Sequence, residues 1–111
     1  MKGKNIFENV PDQCGGEIFE TLLEHCNVTV ERIVSRGQAS PEGYWYDQDW
    51  DEWVVLLQGS TAVLFEGEET FSVLKPGDYL WIPAHKKHRV EWTDSHDKTI
   101  WLTIHIRPEK G

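Results

Sequence analysis

From Val28 to Ile106 the chain breaks into short runs rich in valine, isoleucine, threonine and aromatic residues, each closed by a turn. That rhythm constrains the fold more than any other feature. The runs are Val28–Ser35, Tyr44–Tyr46, Trp53–Gln58, Thr61–Glu66, Thr70–Leu74, Tyr79–Ile82, Arg89–Thr93 and Thr99–Ile106. They are punctuated by Gly59-Ser60, Gly67-Glu68-Glu69, Lys75-Pro76-Gly77-Asp78 and the polar loop Asp94 to Lys98. Proline presets φ in such turns and glycine accepts a positive φ. About eight short strands at regular spacing, without the long helices of a parallel βαβ sheet, predict an all-β barrel or sandwich.

With 111 residues the length fits one domain, 1–111, large enough to bury a core but too small for two. Residues 1–16 read as an irregular lead-in and 28–106 as the barrel. Between them Ile18, Phe19, Leu22 and Leu23 recur at helical spacing, which predicts one short N-terminal helix over Glu17–His25, broken by Asn27.

Acidic residues outnumber basic ones by 19 to 11, and the formal charge is -8. A nucleic-acid groove or a polybasic membrane patch is disfavoured on that balance. No apolar stretch approaches the roughly 18–20 residues of a membrane-spanning helix, and the first residues lack the apolar core of a signal peptide, so a soluble, cytoplasmic protein is expected. Cys14 and Cys26 form no metal or redox motif; two free thiols are expected, with a bridge between them left open. The six tryptophans are expected to fill the barrel core and a subunit interface rather than to cage a ligand.

The segment Gly77-Asp-Tyr-Leu-Trp-Ile-Pro83-Ala-His85-Lys-Lys-His88 carries the clearest functional signal. Five residues separate Gly77 from Pro83 and four separate Pro83 from His88; upstream, six residues separate Glu52 from Gly59. In these spacings residues 43–106 resemble a small single-domain cupin, a jelly-roll β-barrel (double-stranded β-helix) whose two motifs, G-x5-H-x-H-x3-4-E-x6-G and G-x5-P-x-G-x2-H-x3-N, meet inside the barrel. Three positions depart from the pattern. His85 stands at the middle glycine of the second motif, Trp92 at its asparagine, and the first motif has no His-x-His pair. A four-residue spacer before Glu52 puts Trp45 and Asp47 at the missing histidines, and a three-residue spacer puts Tyr46 and Gln48 there.

Strand alternation orients the candidates, because residues two apart share a face. If Glu52 points inward, Val54 and Leu56 do too; His88, Val90 and Trp92 share one face of a later strand, with Arg89 and Glu91 on the other. His105 reaches the cavity only if the more polar face of the last strand, Trp101, Thr103 and His105, is the inner one. Tyr46, Val54, Leu56, Val90 and Trp92 are therefore candidate cavity-lining residues.

The resemblance implies a divalent transition metal, Mn, Fe, Ni or Zn, held by Glu52 and His88 with Asp47 or Gln48 and with His105 or His85. The plainer alternative for Glu52 and His88 is a satisfied buried polar pair. His85 reads better as an exposed loop residue, Asp49 and Asp51 as solvated hairpin residues, and His25 and His96 as surface positions. No Gly-x-Ser-x-Gly elbow, activated cysteine or phosphate loop is present, which disfavours triad hydrolysis.

Three readings follow. One is a cupin binding a metal and a small polar metabolite, as an enzyme using Glu52 or His88 for proton transfer. The second is a metal-free small-molecule binding or sensor module, and the third an interaction protein. Apolar residues on both faces of Trp53–Leu57 further predict a homodimer.

Overall fold

The computed structural model describes residues 1–12 and 16–109. Eight strands form: Ile18–His25 (β1), Val28–Ser35 (β2), Asp51–Gln58 (β3), Thr61–Phe65 (β4), Ser72–Leu74 (β5), Tyr79–Ile82 (β6), His88–Thr93 (β7) and Thr99–Ile106 (β8). A five-stranded sheet runs β1-β2-β8-β3-β6 and a three-stranded sheet β5-β4-β7, with every pair antiparallel. Both sheets contribute to one core of Val54, Leu56, Val63, Phe65, Leu74, Ile82 and Trp101.

The expected N-terminal helix is a strand. β1 pairs with β2 from Ile18↔Val34 to His25↔Val28, so Cys26 and Asn27 are the two-residue turn of a hairpin, and Cys26 adopts φ 51°. The helical spacing of Ile18, Phe19, Leu22 and Leu23 misleads because a register shift between Thr21 and Leu23 interrupts strand alternation. Hairpin pairing to a β-branched strand overrides the weak local preference. Cys26 is a free thiol, and Cys14 lies outside the described residues.

The expected strand Tyr44–Tyr46 contracts to one bridge, Tyr46↔His88, and Thr70–Leu74 shortens to β5. Residues 38–46 nevertheless lie along the free edge of β7. Ser40 and Val90 exchange two bonds of 2.9 Å, one through the Ser40 hydroxyl, and Thr93 Oγ1 donates to Gln38 O at 2.7 Å. The edge is thus covered without a regular ladder.

The lead-in is held by a charge. Arg32 lies mid-strand in β2 with only 4 % of its surface exposed. Its guanidinium donates to the carbonyls of Ile6, Glu8 and Asn9 at 2.8–3.2 Å and to both oxygens of Glu20 at 2.8 and 2.9 Å. The fork geometry of arginine suits this role, tying an otherwise irregular segment across the outer face of the large sheet. Farther along that face Trp53 opposes Trp81 and Val55 opposes Tyr79, and both β6 rings stay more than half exposed.

Gly59, in the β3–β4 turn, has φ +86°, and a Cβ there would meet Thr99 Oγ1, with Thr99 Cα at 2.7 Å and Lys98 O at 2.8 Å. Gly67 has a similar φ of +88° with open space around it. Both Ala variants meet left-handed strain of about 1–2 kcal/mol; only Gly59→Ala adds a clash with backbone. Urea unfolding should show Gly59→Ala losing at least about 1 kcal/mol more than Gly67→Ala. Equal losses would show that the β8 turn yields freely.

Candidate functional site

The register of the large sheet builds the site as three inward-facing rungs. One runs Thr29, His105, Glu52, Ile82; the next Glu31, Thr103, Val54, Leu80; the third Phe19, Ile33, Trp101, Leu56. Each rung crosses strands far apart in sequence, so Glu52 and His105 meet only because β3 pairs with β8. Opposite them β4 and β7 supply Val63, His88 and Val90. Between the sheets lies a cavity of about 140 Å³. It is lined by Phe19, Ile33, Tyr46, Val54, Val63, Leu80, Ile82, Val90 and Trp101, and by the polar groups Glu17, Glu31, Gln48, Glu52, His88, Thr103 and His105.

Of the residues singled out in the sequence, Glu52, His88, Gln48, His105, Tyr46, Val54 and Val90 line this cavity; Asp47, Trp92 and Leu56 do not. Leu56 is fully buried in the core beneath it. Trp92 turns outward, 39 % exposed, because Ala62 pairs with Trp92 and Val63 with Val90, leaving Glu91 as an extra residue that flips the alternation. Tyr46 and Gln48, not Trp45 and Asp47, occupy the inward positions, as the three-residue spacer requires. Asp47 instead accepts from His85 Nδ1 at 2.7 Å on the exposed rim.

His85 explains its own departure from glycine. It holds φ 64° at the position where the motif has glycine, and histidine is among the residues that tolerate this region. Its backbone N–H donates to Gln48 O at 2.8 Å, its Nδ1 meets Asp47, and its Nε2 lies 3.6 Å from Asp49. Ala84 N–H also donates to Asp51 Oδ1 at 2.8 Å. The β6–β7 turn therefore pins the segment that carries Gln48.

His88 is 7 % exposed, stacked on Tyr46 at 5.6 Å with Phe65 at 6.1 Å. Its Nδ1 lies 2.9 Å from the carbonyl of Lys86; since a carbonyl only accepts, Nδ1 carries the proton and Nε2 is left as an acceptor. Burial holds this imidazole below its ordinary pKa, opposed by the Lys86 bond. His105 is tilted against Trp50, ring centroids 5.4 Å apart, with Nδ1 3.5 Å from Glu31 and Nε2 3.9 Å from Glu52. Burial lowers its pKa as well, Glu31 opposing and Arg107 adding to the effect.

Glu52 is 8 % exposed, and burial pushes its carboxyl up to about 7. A hydrogen bond from Gln48 opposes the rise and the Glu31 charge adds to it. A carboxyl in that range can give or take a proton at neutral pH. Two further polar atoms, Gln48 Oε1 and Thr103 Oγ1, are buried without a hydrogen-bond partner.

The metal implied by the motifs can be tested against these donors. Among the described residues no three His, Cys, Asp or Glu side chains gather into a set that could hold an ion. Gln48 offers a neutral amide where the motif has imidazole, and His105 is drawn toward Glu31 as well as Glu52. The residues present do not fit the three-imidazole and carboxylate centre.

The cupin domain model matches residues 32–105. The chain belongs to the cupin family. Its fold superposes on a Ralstonia eutropha JMP134 protein, provisionally named a mannose-6-phosphate isomerase, with TM-score 0.91, 47 % identity, and 96 % and 99 % of the two chains covered. A cupin superfamily protein from Desulfitobacterium hafniense DCB-2 aligns with TM-score 0.72 at 19 % identity over 89 % and 84 %, and shares the fold. So does an RmlC-like cupin from Desulfovibrio desulfuricans, TM-score 0.72 at 21 % identity over 95 % and 96 %. No curated protein matches the sequence.

Glu31 and Glu17 are the residues that sequence reasoning missed. Alternation within Val28–Ser35 places Glu31 beside Ile33 on one face, a usable signal; Glu17 and Phe19 were hidden by the helical reading of β1.

The stability of the fold depends on pH through Glu52. Glu52 ionises near 4.5 when unfolded and near 7 when folded, so between those values the folded chain holds a proton that the unfolded chain has lost. Its contribution is full below pH 4.5 and disappears as pH rises through 7, about 3 kcal/mol in all. His88 and His105 act oppositely, costing stability as pH falls below 6.5. In Glu52→Gln the histidine contributions cancel against wild type. Urea unfolding should show the variant gaining about 2 kcal/mol on wild type between pH 5.5 and pH 8; a constant difference would mean that Glu52 is ionised throughout.

Proposed function

We propose that this cupin binds a small molecule with an apolar body in its barrel, and does so without a metal ion. The observation that carries the reading is the cavity of about 140 Å³ in which aliphatic walls and Trp101 converge with buried, partly unpartnered polar groups. That volume is close to the roughly 150 Å³ of a cavity that takes a benzene ring. Apolar lining with a few placed polar groups is the usual composition of a ligand site.

The name of the Ralstonia relative points to a sugar phosphate. The cavity here argues against that ligand class: its lining among the described residues includes Glu17, Glu31 and Glu52 and no Lys or Arg. A phosphate would meet like charge and no bidentate partner. A proton-transfer enzyme acting on a neutral substrate is a second reading, favoured by the Glu52 carboxyl near 7 with His105 Nε2 at 3.9 Å. The exposed free thiol of Cys26 supports a cytoplasmic location.

Filling the cavity tests the reading. Benzyl alcohol should raise the melting temperature of wild type and leave that of Val63→Trp unchanged, and elemental analysis of untagged protein should find no near-stoichiometric metal. Retained Mn, Fe, Ni or Zn that disappears in both Glu52→Gln and His88→Ala would restore the metal site and overturn the metal-free reading.

We also propose a homodimer through the outer face of the large sheet, where Trp53, Val55, Tyr79 and Trp81 lie together. Sedimentation should give a dimer for wild type and a monomer for Trp81→Glu; a monomeric wild type would remove the proposal.

A further inference from the structure

Three features of the cavity describe its occupant more closely than size does. The first is charge: every charged side chain on the described lining is a carboxylate, Glu17, Glu31 and Glu52. The second is hydrogen-bonding polarity. Gln48 Oε1 can only accept, and it is buried with no donor. His88 Nε2 is likewise an acceptor, because Nδ1 is committed to the Lys86 carbonyl. The third is Thr103, a lining residue 1 % exposed, whose Oγ1 is buried without a hydrogen-bond partner. A buried polar atom left without a partner is unfavourable, so a site with free acceptors at Gln48 and His88 favours a ligand that brings donors.

From this arrangement we infer that the cavity recognises a small organic ammonium, a protonated primary amine carried on one ring-sized apolar body. The inference rests on the proposed small-molecule site and assigns its ligand class. An ammonium offers several N–H donors at one end, matching acceptors contributed by the 46–48 segment, β7 and β8 together with the Glu52 carboxylate. Its body lies against Val54, Val63 and Trp101. Carboxylic acids and phosphates meet three carboxyl groups and no cationic side chain on the described lining, and neutral alcohols bring no charge to pair with Glu52. Lone acidic clusters attract any cation; the apolar enclosure beside this one selects an organic cation over a hydrated ion, which would keep its water shell.

Calorimetric titration of EDTA-treated full-length chain separates the possibilities with three probes of one shape: benzylammonium, benzyl alcohol and benzoate. Benzylammonium should bind about tenfold or more tighter than benzyl alcohol, with benzoate weakest, as expected for charge-assisted bonds in a desolvated site. In Glu52→Gln the preference for benzylammonium over benzyl alcohol should shrink at least about threefold. Thr103→Val, nearly isosteric and uncharged, should weaken benzylammonium while circular dichroism stays native. It keeps the test open if Glu52→Gln fails to fold. Benzyl alcohol binding as tightly as benzylammonium would overturn the ammonium assignment and leave the cavity reading intact. Failure of all three probes would overturn both. Displacement of benzylammonium by micromolar Mn or Zn at the same stoichiometry would identify an inorganic cation site instead.

Discussion

The pairing of β3 with β8 places a carboxyl, Glu52, inside an apolar barrel directly opposite an imidazole, His105, and everything functional in this chain depends on that placement. Burial alone would make the carboxylate prohibitively unfavourable. The protein answers with a partner that donates, Gln48, and with protonation, since the pKa rises to about 7. It does not supply a cation: His105 stands 3.9 Å away and is itself held toward the neutral form by burial. The Glu52 carboxyl is therefore one proton or one positively charged ligand away from neutrality, a condition that a fully matched ion pair would remove.

The surrounding structure fixes this condition rather than relaxing it. Gly59 lets β4 leave β3 against the Thr99 backbone, so the β3–β8 register is maintained at its far end. Leu56 N–H bonds to Asp78 O and Gly77 N–H to Leu56 O, docking the Lys75–Asp78 turn against the same strand. At the near end His85 and Ala84 hold the 47–51 segment by three hydrogen bonds, which sets the position of Gln48. Motif glycines and the residue at the motif's middle glycine thus act on the site through backbone geometry, without touching the cavity.

Much of this was legible in the sequence because it is local. Turn residues and period-two patterns mark β2, β6 and β8 at their observed limits, and alternation aims His88, Val90, Val54 and Glu52 inward. What was not legible depends on register and bulges. One extra residue at Glu91 turns Trp92 outward, and an interruption after Thr21 makes β1 resemble a helix. Glu31 joins the site only because β2 lies beside β8, a neighbour relation between residues 72 positions apart (Glu31 and Thr103) that no local pattern encodes.

Loss of the motif's two histidines need not leave the barrel without a site. Gln48 sits where the three-residue spacer puts an imidazole, and an amide there presents a donor to Glu52 and leaves a buried acceptor without a partner. Imidazole in that place would offer one nitrogen lone pair to an ion; the amide offers a hydrogen-bond acceptor that is satisfied only by a donor. With Tyr46 packed on His88 at the other position, the segment contributes an aromatic wall and a polar contact instead of two metal ligands. The barrel frame is kept, and the proposed chemistry of its mouth runs from coordination toward recognition by hydrogen bonds in a carboxylate-bearing, largely apolar cavity.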